Sequence, residues 1–119
     1  MSFKLNIEQK TVLNKNYRKV VYTDKHQQIV LMWLAVGEYI HCEKHNGSQF
    51  FRVESGVGMA TVKNKKIKLY DGVALAVPRN MYHMIVNTSK THPLKLYTIY
   101  SPPQHIHGEI NKHQPNDEL

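Results

Sequence analysis

Turn residues break this chain about every eight positions, and the segments between them are short and rich in β-branched and aromatic residues. Arg18–Thr23, Gln28–Val36, Val57–Val62, Lys66–Tyr70, Val73–Val77, Met81–Asn87 and Leu94–Tyr100 read as strands. Asp24–Gln27, Asn64-Lys65, Asp71-Gly72, Pro78-Arg79-Asn80 and Thr88–Pro93 read as the turns and loops between them. Gln28–Val36 is almost continuously apolar, the pattern of a strand buried on both faces. Residues 1–16 carry a weaker pattern, a short strand or a single helical turn. With two more strands flanking Asn46-Gly47, about nine strands and no convincing helix predict an all-β sandwich or barrel. One domain over residues 1–103 accounts for the pattern, followed by a polar, histidine-bearing arm or tail over 104–119.

The densest coordinating chemistry lies between Gly37 and Gly56. Glu43 and His45 are two positions apart, so on a strand they share a face. Asn46-Gly47 is the strongest short hairpin signal, and Gln49 opens the next strand, Gln49–Val53. A hairpin there returns Gln49 beside His45, bringing a carboxylate, an imidazole and an amide oxygen together as metal-ligand candidates.

Charge and cysteine content narrow the partners. The net charge is +7, which suits anionic small molecules and permits nucleic acid. The positive residues are scattered, and the densest run, Lys63–Lys68, reads as a solvated hairpin turn, so nucleic acid is not the expected partner. No apolar run reaches the ~18 residues that cross a bilayer, so no membrane is expected. The single cysteine, Cys42, cannot pair within the chain and suits a reducing, cytoplasmic setting.

Two spaced motifs resemble those of the cupin superfamily. In the first, Gly37, Glu43, His45, Gln49 and Gly56 fall on the glycine and ligand positions without a gap. In the second, Gly72, Pro78, Asn80, His83 and Asn87 do the same, except that Asn80 stands where the motif has glycine. Asparagine tolerates the left-handed backbone that such a glycine adopts. The resemblance spans about Arg18 to Pro103 and is closest to the small single-domain cupins described as mannose-6-phosphate isomerase-like. It implies a jelly-roll double-stranded β-barrel, a divalent metal in the mouth between the two motif hairpins, and a homodimer. It also implies Glu43, His45, Gln49 and His83 as the metal ligands. The commonest cupin set is two histidines and a glutamate; here Glu43 takes a histidine position and Gln49 the glutamate position. Two histidines, one carboxylate and a weakly donating amide suit Zn, Fe, Mn or Ni alike.

A metal-dependent small-molecule enzyme follows as the first expectation, its substrate unspecified and its class isomerase by resemblance. A non-catalytic cupin that binds a small ligand or a metal, or an iron-dependent oxygenase, remains the alternative. His41, two positions before Glu43, is the candidate proton shuttle, on the expectation that it shares Glu43's face. Tyr82, Tyr97 and Tyr100 fit either a pocket wall or, more simply, the core, and His105, His107 and His113 read as solvated tail residues.

Overall fold

The computed structural model describes residues 2–115; residues 116–119 of the expected arm lie outside the described residues. Among the described residues are ten strands and one helix: α1 (Ile7–Leu13), β1 (Arg18–Thr23), β2 (Gln28–Leu34), β3 (Tyr39–Glu43), β4 (Ser48–Ser55), β5 (Gly58–Val62), β6 (Lys65–Leu69), β7 (Ala74–Val77), β8 (His83–Asn87), β9 (Leu94–Ser101) and β10 (Ile110–Asn111). They make two antiparallel sheets. One has six strands in the order β10-β1-β2-β9-β4-β7, the other four in the order β3-β8-β5-β6. The result is the all-β jelly roll expected of the sequence.

The core is the space between the sheets. Alternate residues of β2, β4 and β9 (Val30, Met32, Leu34, Phe51, Val53, Leu94, Leu96) face Ile40, Ala60, Leu69 and Ile85 of the smaller sheet. Period-two alternation on β9, with Leu94, Leu96, Thr98 and Tyr100 buried and the residues between them partly exposed, is what a one-faced strand requires. The expected burial of β2 on both faces holds only at its centre: Leu31 on the outer face is buried, but Ile29 and Trp33 beside it are only partly so.

Four local expectations need correction. Residues 7–13 form a true helix. Asn6 caps it, its side chain accepting a hydrogen bond from the Gln9 amide at 3.0 Å, with Glu8 in the first turn and Lys10 in the last. The helix was hard to read because it buries only Thr11 and carries no apolar stripe. Second, Asn46-Gly47 is not a hairpin turn: β3 and β4 belong to different sheets, and neither residue has the positive φ that a two-residue hairpin demands. Gly47 is there for clearance. A Cβ at this position would lie 2.5 Å from the Ser101 carbonyl oxygen and 2.6 Å from Pro102.

Third, the turn between β5 and β6 sits one residue earlier than expected, on Lys63 (φ 47°) and Asn64 (φ 68°), with Val62 paired to Lys65. Fourth, the polar segment after Pro103 runs back along its own domain. Ile110 and Asn111 pair with Lys19 and Arg18, and the Arg18 guanidinium bridges Glu109 at 3.1 Å and Asn111 at 3.0 Å. No helix among the described residues is long and apolar enough to cross a membrane.

Candidate metal centre

One end of the sandwich gathers the end of β3, the starts of β4 and β8, and the end of β9. Glu43, His45 and His83 meet there, each offering a ligand atom within 4.8 Å of the others. The route by which they meet is not simple strand parity. The β3–β8 register shifts between Ile40 and Glu43, so Ile40 faces the core and Glu43, three positions on, stands opposite His83. Past the end of β3, His45 turns back and its Nε2 lies 2.9 Å from Glu43 Oε1. The bend after β7 supports this loop: Asn80, in the left-handed conformation at φ 63°, donates its amide to the His45 carbonyl at 2.7 Å. The asparagine therefore does what the resemblance expected of the motif glycine.

His83 is 2% exposed. Its Nδ1 lies 2.9 Å from the Met81 carbonyl, which can only accept, so Nδ1 carries the proton and the neutral ring keeps its lone pair on Nε2. That Nε2 is buried without a hydrogen-bond partner, and Glu43 Oε1 at 4.0 Å is too far to be one. A histidine whose second nitrogen is fixed by a carbonyl is the usual arrangement of a metal ligand. Burial pushes the His83 pKa below the ordinary histidine value, against the opposing pull of the Met81 carbonyl and Glu43. Burial also acts to raise the Glu43 carboxyl, but the hydrogen bond and charge of His45, with the charges of His83 and His105, outweigh it and hold Glu43 below the ordinary carboxylate value.

Gln49 is 3% exposed on the inner face of β4, two positions before Phe51, whose ring is edge-on to His83 at 5.9 Å. Its Nε2 donates to Thr98 Oγ1 at 3.0 Å, and its Oε1 is buried with no partner. His83 Nε2, a buried lone pair without a donor in a cluster with a carboxylate and a second imidazole, is chemically incomplete until a cation or a donor joins it, and Gln49 Oε1 is another buried lone pair without a donor. The donor set therefore fits a divalent ion.

His41 is exposed, and the register shift breaks the parity that put it on Glu43's face. Tyr100 and His105 stand beside the cluster. The Tyr100 ring, 2% exposed, meets His45 edge-on at 5.3 Å. His105 packs edge-on against that ring at 5.1 Å, and its Nε2 lies 3.2 Å from the Tyr100 hydroxyl. His105 comes from the segment expected to be solvated. The fully buried Gln28 pins it: Gln28 Oε1 accepts the amides of Gln104 and His105 at 3.2 and 3.0 Å, and its Nε2 donates to the His105 carbonyl at 2.8 Å. No local signal marks this contact, because the partners are 77 positions apart. Of the other candidates for a pocket wall, Tyr82 is exposed, and Tyr97 lies half-buried against Phe50.

The two-sheet jelly roll carries at one end a histidine–carboxylate cluster compatible with a divalent ion, and the relatives give it a family. The family model described as cupin domain matches residues 30–100, and the chain belongs to the cupins. It is 44% identical over 115 residues to the uncharacterised protein L612 of Acanthamoeba polyphaga mimivirus, covering 93% of this chain and 72% of that protein. It is 40% identical over 117 residues to the uncharacterised protein YrkC of Bacillus subtilis, covering 92% of this chain but only 62% of that protein. The crystal structure of BH2720 from Bacillus halodurans superposes with a TM-score of 0.90 at 37% identity, over 94% of this chain and 89% of that one. KdgF from Halomonas sp. shares the fold at 21% identity, with a TM-score of 0.71 over 87% of this chain and 96% of that one.

Proposed function

We propose that this cupin is a metal-dependent enzyme acting on a small, oxygen-bearing, anionic molecule, with Glu43, His45, His83 and Gln49 holding the ion. The observation that carries the reading is the pair of buried, unpartnered lone pairs on His83 Nε2 and Gln49 Oε1. A divalent ion held by two imidazoles, a carboxylate and an amide oxygen supplies Lewis acidity toward a carbonyl or hydroxyl oxygen. The chain's own residues do the rest. The Met81 carbonyl fixes the His83 ring, and Phe51 and Tyr100 wall the site against water. Because His41 is exposed, proton transfer falls to His105, held on the Tyr100 hydroxyl.

The isomerase class rests on the resemblance to mannose-6-phosphate isomerase-like cupins, and an oxygenase is the reading if iron is the native ion. A panel of sugar phosphates and oxygen-dependent substrates, assayed with Fe, Mn, Ni and Zn, tests this directly. Turnover with one ion, lost in His83→Ala, is the expected result. Saturable ligand binding without turnover by any of the four would replace the enzyme with a non-catalytic binding module.

A further inference from the structure

The outer face of the smaller sheet carries a cavity along β5 and β8, next to the metal cluster. Ala60 and Ile85 are fully buried in the core, so their strand neighbours Thr61 and Met84, paired across β5 and β8, face outward. Together with Met81, Tyr82, Lys63 and Arg79 they line a trough of about 410 Å³ that also reaches His83, whose own side chain is 2% exposed. Its walls are apolar and adaptable: two thioethers and a tyrosine that is 58% exposed despite its size. Its rim is cationic. Lys63 and Arg79 line it, and Lys44 Nζ stands 4.9 Å from the centre of the Tyr82 ring. No carboxylate lines the trough, and among the described residues none of the three cations forms an ion pair. Arg79 is oriented by a 3.1 Å hydrogen bond to Asn46 Oδ1, which leaves the rest of its fork free.

We propose that this trough is a binding site for a small organic anion with a flat, apolar body. The tyrosine and methionine side chains take the body, and Arg79 and Lys63 take its carboxylate or phosphate. An arginine fork matches either group with two parallel hydrogen bonds, and a lysine adds a point charge. A neutral ligand of the same shape leaves those donors unmatched, so charge as well as shape selects the occupant. Its lining includes none of Glu43, His45 and Gln49; His83 is the one residue it shares with the metal cluster, and the Nε2 of that residue is buried rather than open to the trough.

Naphthoate and its neutral analogue naphthamide are suitable probes, each titrated into the protein and followed by amide NMR spectra. The expected result is saturable binding of naphthoate with shifts concentrated at Thr61, Lys63, Tyr82 and Met84, about tenfold tighter than naphthamide. The double substitution Lys63→Ala with Arg79→Ala should erase that preference while leaving weak binding of both. Glu43→Gln, which disables the metal cluster, should leave naphthoate affinity unchanged. No saturable binding at millimolar naphthoate overturns the proposal. So do equal affinities for the two probes in the unsubstituted protein, or shifts concentrated at Glu43, His45 and Gln49.

Discussion

Gln28 and Gln49 are both strand residues of the six-stranded sheet and both almost wholly buried, at 0% and 3% exposure. They are used in opposite ways. Gln28 spends both ends of its amide inside the fold, on Thr23 Oγ1, the His105 carbonyl and the amides of Gln104 and His105. Gln49 gives one bond to Thr98 and leaves its oxygen without a donor. Asn87, another buried amide, resembles Gln28: its Nδ2 reaches the carbonyls of Leu34, Ala35 and His92, and its Oδ1 accepts the Ser89 amide. A buried polar side chain with every bond made within the chain holds the fold. One with a lone pair left over keeps an acceptor open to a ligand.

The largest effect that sharpens this contrast is at Gln28. Gln28→Leu strands two backbone amides and a carbonyl, so unfolding free energy in urea should fall by about 2–4 kcal/mol. His105 should lose its anchor with it, read as exposure of the 104–112 segment to hydrogen exchange. A loss below about 1 kcal/mol would show that Gln28 is dispensable to the fold and break the comparison.

Next in size is the acid response of the metal-free protein. The unfolded state takes up a proton at His83 more readily than the folded state does. Stability should therefore be full above pH 6.5 and fall as pH drops below it. Glu43 is also held low, so its contribution is present above pH 4.5 and lost as pH falls further through its folded value. Urea midpoints measured against pH should show both declines, and His83→Asn should remove the first. Stability that rises on acidification through this range would contradict the buried, neutral His83.

The smallest expected effect is at Gln49, where Gln49→Leu removes an unpartnered oxygen along with a single hydrogen bond. Stability of the metal-free protein should stay within about 1 kcal/mol of the unsubstituted chain, while affinity for a divalent ion measured by calorimetry drops about tenfold. Equal losses at Gln28 and Gln49 would erase the distinction between them.

What could be read from the sequence follows the reach of each interaction. The strands and most turns were legible because alternation and turn chemistry are local: Arg18–Thr23 and Leu94–Tyr100 need only their own pattern. That Glu43, His45 and His83 come together was legible through their spacing, and Asn80 through its tolerance of positive φ. Asn46-Gly47 misled because a hairpin and a crossing between sheets carry the same local signal. Only the approach of Ser101 and Pro102 decides that Gly47 serves clearance rather than a tight turn. His41 misled because one register shift between Ile40 and Glu43 inverts every parity argument across it. His105 stayed hidden because the residue that orders it, Gln28, reads on its own as an ordinary polar position at the start of a strand.

Metal content is the most direct test of the central claim, measured by elemental mass spectrometry on untagged protein prepared without chelator and then again after reconstitution. His83→Ala and Glu43→Gln are carried alongside, each checked for an unchanged fold by circular dichroism. We expect about one divalent ion per chain in the unsubstituted protein and a loss of it in both variants. A protein that takes up no ion on reconstitution, or variants that retain it fully, would contradict the assignment of Glu43, His45 and His83 as a metal centre.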